Sequence, residues 1–394
     1  MFLDRPLSGS ILSGSILSGS LLLNGLTISP ALAEGSVVIS DAIAPSEAMH
    51  QLNSSFASAV IIPTYTDLVS HTQALVETAA AFESDPSELT LYSLRNAWLS
   101  SASAWAEGYA FAFGPVHSLG HAAALEFPAD PLGIETLMAD PEAINWDDAG
   151  LLPSVQGFEA IAYLLHGPNG DKALSDFSDQ ERRYITWLAR STRQVSGDLL
   201  AVWQLGIDDQ PAYKAVLASA GEPGNGAYLS PASGTEEIVR GLMNCLEVVA
   251  LEGLPEMLSE PQALTQYSGQ RSLELLRSTL QGAQTAYLGS VVTEASVPAR
   301  ALTIEAIRSG EIHADASHAD TSRAGGLSDW VGMANAHTDA QIQQSLTVAL
   351  ENVNQAMANP RDVDALSESL SLAHSSLLTT QALLETDVLP LLQP

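Results

Sequence analysis

Apolar residues recur at every third or fourth position along most of the chain, and no convincing run alternates with period two. Between Ser54 and Phe82 the apolar positions are Phe56, Val60, Leu68, Leu75 and Val76, and Pro63 places the start of regular helix at or just before it. Asp85-Pro86-Ser87-Glu88 combines an N-cap, an N1 proline and a capping-box acid. The helix it opens runs through Trp98 and Trp105 towards Phe113, where Gly114-Pro115 stops it. A connection rich in Pro, Asp and Gly follows from Val116 to Asp148, with a short helix at Gly133 to Met138. Ser178 and Glu181 form a second capping box, opening a helix to Leu205, and a shorter helix covers Gln210 to Ala220.

Gly, Pro and Ser dominate Gly221 to Gly234, which marks a boundary between an N-terminal bundle (34–222) and a C-terminal one (223–394). Further helices are predicted at Thr235 to Leu258, Gln270 to Leu288, Leu302 to Arg308, Asp339 to Met357 and Asp362 to Leu389. A polar excursion lies between Glu294 and Leu327. The pattern predicts an all-α fold of long helices and short capped turns, suited to bundle packing.

The run LLPSVQGFEAIAYLLHG, Leu151 to Gly167, organises the rest. Val155, Phe158, Ile161 and Leu165 form an apolar face, and Gly167-Pro168 ends the segment. A second stripe carries Glu159, Ala162, Tyr163 and His166 at i, i+3, i+4 and i+7, so an acid, a phenol and an imidazole share the other face.

Gly157 to Leu165 resembles the signature helix of the imelysin-like proteins, also called imelysin peptidases, whose pattern is Gly-x-His-x-x-Glu followed by an aromatic residue and two leucines. The glycine, the apolar frame and the Leu-Leu-x-Gly ending are present, but Glu159 stands at the family histidine and Ala162 at the family glutamate. Ala97-Trp98, Phe111-x-Phe113-Gly114-Pro115 and Leu384-Glu385-Thr386-Asp387-Val388-Leu389-Pro390 resemble the same family, over roughly residues 50 to 394. The resemblance implies two four-helix bundles packed side by side as an internal duplication. It also implies a site in the cleft between them, and a setting in bacterial iron acquisition.

Charge narrows the partners. Fifteen Lys and Arg stand against 46 Asp and Glu, a formal net charge of -31, which repels phosphate backbones and excludes nucleic acid as a partner. The same field attracts cations and suits salty surroundings. The chain is 46% hydrophobic with a mean hydropathy of +0.12, enough to bury a large core.

At the N-terminus, Arg5 precedes an apolar stretch and Ala31-Leu32-Ala33 has the small-x-small pattern of a signal-peptidase site, so residues 1–33 read as a signal peptide. No later stretch is long and apolar enough to span a bilayer, which predicts an exported mature chain in the periplasm or cell envelope. Cys245, the only cysteine, excludes an internal disulfide and reads as a small buried hydrophobe.

Several residues are candidates for chemistry. In the family pattern, histidine and glutamate three apart suit a shared metal ion, iron or another divalent metal. Here Glu159 retains one oxygen donor, either as the remaining ligand of a rebuilt site or as an ordinary polar position facing the cleft. Gly157, Tyr163 and His166 are expected to line that cleft, with His166 about 10 Å along the axis from Glu159.

His117 and His121 would share a face at i, i+4 if helical, but Ser118 occupies the place of the glutamate in an H-E-x-x-H site. Glu126 would reach a common ion through a bent backbone, and Glu107 on the preceding helix is expected to face the same cleft. His313, Asp315, His318 and Asp320 form a further cluster in a polar stretch that reads as solvated loop. His71, His374 and the tryptophans read as surface or packing residues. There is no G-x-S-x-G elbow and no glycine-rich loop before a lysine.

These features predict an exported imelysin-like protein that binds a metal ion or small ligand between its bundles without catalysis. The alternatives are a metallopeptidase, for which a water-activating metal needs three protein ligands and a base, and an interaction protein that docks an envelope partner through its acidic surface.

Overall fold

The computed structural model describes residues 45–139, 152–168, 170–207, 209–292 and 322–393. The expected signal peptide, the helix at 302–308 and the His313/His318 cluster lie outside the described residues. The fold is all-α, as the periodicity predicts.

In chain order the helices are α1 (Pro45–Phe56), α2 (Ile62–Ser84), α3 (Glu88–Ala106), α4 (Pro115–Ser118), α5 (His121–Leu125) and α6 (Pro131–Ala139). They continue with α7 (Gly157–His166), α8 (Asp179–Gln204), α9 (Tyr213–Ala218), α10 (Pro231–Val248), α11 (Leu254–Ser259) and α12 (Tyr267–Leu288). After an antiparallel pair of three-residue strands, β1 (Ser290–Val292) and β2 (Ser322–Ala324), come α13 (Leu327–Ala334), α14 (Ala336–Ala358) and α15 (Val363–Leu383). The strands join the two ends of the polar excursion, and were not foreseen from the sequence.

The helix at the start begins at Pro45, earlier than the apolar pattern indicates. It does not break at Pro63. A wide turn, Ala57–Ile61, carries the Ile62 N–H to the Ala57 carbonyl, five residues back. Proline lacks an N–H and its ring crowds the carbonyl four residues earlier, so a widened turn just before it relieves both demands. The same arrangement recurs at Val249–Gly253 before Pro255 and at Leu384–Val388 before Pro390.

The cap of α3 is also shifted. Ser87, not Asp85, accepts from the Thr90 N–H, and the Ser87 N–H donates to Thr90 Oγ1 at 2.9 Å, so Pro86 lies outside the helix. The Ser178–Glu181 box forms as expected, with the Ser178 N–H donating to Glu181 Oε2 at 2.8 Å.

One group of helices is built from α2, α3, α7 and α8, and a second from α10, α12, α14 and α15. A continuous apolar core runs through both, from Phe56, Leu68 and Trp203 to Leu276, Leu346 and Leu370. The groups meet where α12 crosses α3, and where α10 packs on α1 and on the 3-10 turn Tyr109–Phe111.

At the α1–α10 crossing, buried Asn53 donates to the Pro231 carbonyl at 2.9 Å and accepts from Thr235 Oγ1 at 3.0 Å. Glycines set the other approaches. A Cβ on Gly282 of α12 would fall on the Glu107 carbonyl, and one on Gly241 of α10 would lie 2.9 Å from the Ala110 oxygen.

Gly282→Ala is therefore expected to destabilise the protein by about 1–3 kcal/mol through overpacking. Gly226→Ala, whose added methyl would meet open space, should be neutral or slightly stabilising. Urea unfolding of the two variants checks the contrast.

Candidate functional site

Gly157, the first residue of α7, has φ +74, and a Cβ there would meet the Leu125 carbonyl oxygen and lie 2.8 Å from the Ala124 oxygen. Only glycine combines this backbone with so close an approach. The first turn of α7 is thereby laid against the end of α5. Glu126 follows Leu125 directly and Glu159 sits two residues into α7, so the contact sets the two acids near enough for the charge of Glu159 to act on Glu126.

The far end of α7 is held by cations. Arg95 donates to the Leu165 carbonyl through Nη2 at 2.8 Å and to the Lys172 carbonyl at 2.6 Å, and Lys172 Nζ donates to the Leu164 carbonyl at 3.0 Å. Positive groups on the last carbonyls of a helix complement its dipole. Trp98 ties the two ends together. Its Nε1 donates to the Phe158 carbonyl at 3.0 Å, and its ring meets His166 edge-on at 5.4 Å between centroids.

At the α5–α7 contact, one oxygen of Glu126 accepts two hydrogen bonds, from Trp105 Nε1 at 2.6 Å and from the Tyr109 hydroxyl at 2.5 Å. Burial pushes the Glu126 carboxyl up to about 7, against these two donors, and the neighbouring charge of Glu159 adds to the rise. The Tyr109 hydroxyl is pushed far up by burial and by the same two acids. Cys245, on α10, is close enough to act on Tyr109 and is itself raised to about 12 by burial. Glu159 is half-buried.

A second pair of acids lies nearby in the chain. Glu107, at the C-terminal end of α3, is raised to about 7 by burial and by the charge of Asp67 on α2, and Arg277 on α12 opposes the shift. Asp67 is raised by burial and lowered by His71 one turn along α2.

The expected histidine pair does not form. Gly120 adopts the left-handed conformation (φ +76) and separates α4 from α5, so His117 and His121 lie on different helices rather than on one face. His117 is exposed. His121 is buried, with Nδ1 3.1 Å from the Pro115 carbonyl, and burial lowers its proton affinity.

His166 is not open to a cleft. It is 2% exposed, and burial together with Arg271 and Arg95 depresses it to about 3. The Arg271 guanidinium of α12 also lies 5.4 Å from the Trp98 ring, so this cluster joins α3, α7 and α12. Tyr163 instead reaches α6, its hydroxyl donating to Glu135 Oε1 at 2.9 Å.

Of the residues singled out from the sequence, the fold thus brings together Glu126 and Glu159, and leaves Glu107, His117 and His121 in separate surroundings. No group of three or more His, Cys, Asp or Glu side chains placed to hold a metal ion occurs among the described residues. Trp105, Tyr109 and Asp67 were missed as site residues. Trp105 and Tyr109 stand four apart, a spacing that puts two donors on one side of a helical segment, but nothing in the sequence points them at Glu126.

An all-α fold in which a glycine-led α7 is laid against the end of α5 defines the class. The chain belongs to the imelysin family, which matches residues 61–385. It is 32% identical over 237 residues to the iron-regulated protein A of Synechococcus elongatus, an alignment covering 59% of this chain and 63% of that relative, so less than two thirds of the relative's length is spanned. A structure described as an iron-regulated protein A precursor from Parabacteroides distasonis superposes with a TM-score of 0.65 at 16% identity, covering 87% of this chain and 97% of that one. An imelysin-like protein from Psychrobacter arcticum gives 0.58 at 14% identity, covering 88% and 96%. At these identities the two structures speak for the fold.

His166 gives the site region a pH dependence of known sign. Its depressed proton affinity means that the unfolded chain binds the extra proton between pH 6.5 and about 3, so this contribution to stability is whole above pH 6.5 and is lost as pH falls. Glu107 and Glu126, both raised, act with the opposite sign between 4.5 and about 7. Comparison with His166→Phe separates the two. The wild type should lose up to about 1.4 kcal/mol per pH unit more than the variant between pH 6 and 4, measured by chemical unfolding.

Proposed function

We propose that the chain is an exported, iron-related member of its family that holds an exchangeable cation at the Glu126–Glu159 pair and catalyses no reaction there. The observation that carries this reading is the close packing of Gly157 on the Ala124–Leu125 carbonyls, which sets the first turn of α7 beside the end of α5, where the charge of Glu159 acts on Glu126 and Trp105 and Tyr109 hold one Glu126 oxygen. The relative named iron-regulated protein A supports the iron-related setting. Export and a periplasmic or envelope location follow from the N-terminal pattern, and no helix among the described residues is long and apolar enough to cross a membrane.

The donor set bears on the kind of ion. Carboxylate oxygens suit hard cations, and two of them leave most of the coordination shell to water. That fits an ion taken up and released as cargo. It does not fit a peptidase metal, for which three protein ligands and an open position are needed.

Calorimetric titration with Fe(II), Fe(III) and Zn(II), with the change in tryptophan fluorescence that Trp105→Phe removes as a second readout, tests the site. One ion per chain is expected, retained at roughly 0.5 M salt, where attraction to the acidic surface is largely screened. Glu126→Gln with Glu159→Gln should weaken it at least tenfold. Binding that collapses in salt, or that the double variant keeps, would remove the site. Chelator-sensitive cleavage of a protein substrate, abolished by Glu159→Gln, would instead favour the peptidase.

A further inference from the structure

A cavity of about 390 Å³ lies at the opposite end of α7 from the acid pair, between α6, the loop after α7 and the start of α8. Its volume is within the range of small-molecule sites. One wall is apolar, from Ile134 and Met138 of α6, Leu164 of α7 and Pro168. The remaining side chains divide sharply into spent donors and acceptors.

Lys172 is the cation of the wall, and it is fully engaged. Its ammonium sits 2.6 Å from Glu181 Oε1 and 3.0 Å from the Leu164 carbonyl, and lies over the Phe177 ring at 4.3 Å. An ammonium has three protons, and these contacts account for them. The Tyr163 hydroxyl gives its proton to Glu135. Glu181 is likewise occupied, since its other oxygen accepts from Ser178. Asp176 is occupied too, accepting from the Ala173 N–H at 2.9 Å and from the Ser175 hydroxyl at 3.2 Å, and it adds only negative charge. Glu135 and Asp171 contribute further acceptors and negative charge, and carboxylates donate nothing. An anion would therefore meet three carboxylates and no side-chain donor. A cation with an apolar stem meets complementary surroundings at both ends.

We propose that this cavity binds an alkylammonium or alkylguanidinium group, its stem against Ile134, Met138 and Leu164 and its head between Glu135 and Asp171. The group is carried either by a free diamine or by a lysine or arginine side chain of a protein partner. The site is separate from the Glu126–Glu159 pair and stands or falls apart from it.

The probes are cadaverine, a lysine capped at both backbone ends, 1,5-pentanediol and glutarate, titrated calorimetrically into the whole protein at roughly 0.5 M salt, where exposed charges are largely screened. At least one of the two amines should bind with one site per chain, and neither the diol nor glutarate should. Cadaverine alone binding assigns a free diamine, and the capped lysine alone assigns a protein side chain.

Glu135→Gln with Asp171→Asn, both exposed positions whose change leaves the core intact, should weaken binding at least tenfold. Glu159→Gln and Glu368→Gln should leave it unchanged, the first because it belongs to the other site and the second because it lies exposed on α15. Binding by neither amine, equal binding of the diol, many weak sites per chain, or full binding by the double variant would overturn the proposal.

Discussion

Backbone touching backbone, with no side chain between, determines how the junction of this protein is built. Gly157 rests on the Ala124–Leu125 carbonyls, Gly282 on Glu107 and Gly241 on Ala110. Each contact involves the stretch from the end of α3 to the end of α5 or a helix laid upon it. A Cβ on Gly157 would push apart the elements that carry Glu126 and Glu159, and one on Gly282 or Gly241 would lift α12 or α10 off the stretch next to Trp105 and Tyr109. The glycine of the signature helix therefore acts on the site through packing, since it has no side chain to offer a ligand. Its effect is to bring two acids together in a place where water is scarce, and scarcity of water raises the proton affinity of Glu126.

The few cations of an acidic chain are placed with economy. Arg95 and Lys172 close the carbonyl end of α7, and Arg271 lies against Trp98 near His166. Arg277 sits beside Glu107 and pairs with Glu274 on its own helix. Glu126 instead has neutral donors on one oxygen, an indole and a phenol. The two raised carboxyls are thus in different situations: one has a fixed positive neighbour across the α3–α12 crossing, and the other is oriented by groups that carry no charge.

Much of the fold was readable because it is written in local periodicity. The apolar recurrence marks α2, α8, α12, α14 and α15, and Ser178 with Glu181 marks a true helix start. The resemblance of Gly157 to Leu165 pointed to the right family. Errors cluster where local rules compete. Asp85-Pro86 looks like a cap, yet the Ser87–Thr90 pair two residues on makes the better one. The His117–His121 spacing suggests a shared face, yet Gly120 turns the chain between them. The site itself was only half legible, since the Trp105, Tyr109 and Glu126 contact joins residues 17 to 21 apart across a change of direction. No period predicts that.

The three wide turns before Pro63, Pro255 and Pro390 have a consequence for how such helices can be compared. A turn of this kind amounts to one inserted residue, and in a helix one residue is a rotation of about 100°. Positions that face inward before the turn are out of phase with those that face inward after it. A heptad wheel drawn straight through α1 and α2 would place buried Phe56 and Leu68 on inconsistent sides, although both are interior. In sequence comparison, then, a proline here is the visible marker of a phase slip, and its loss together with a one-residue deletion would restore a regular helix without altering which side chains meet the core.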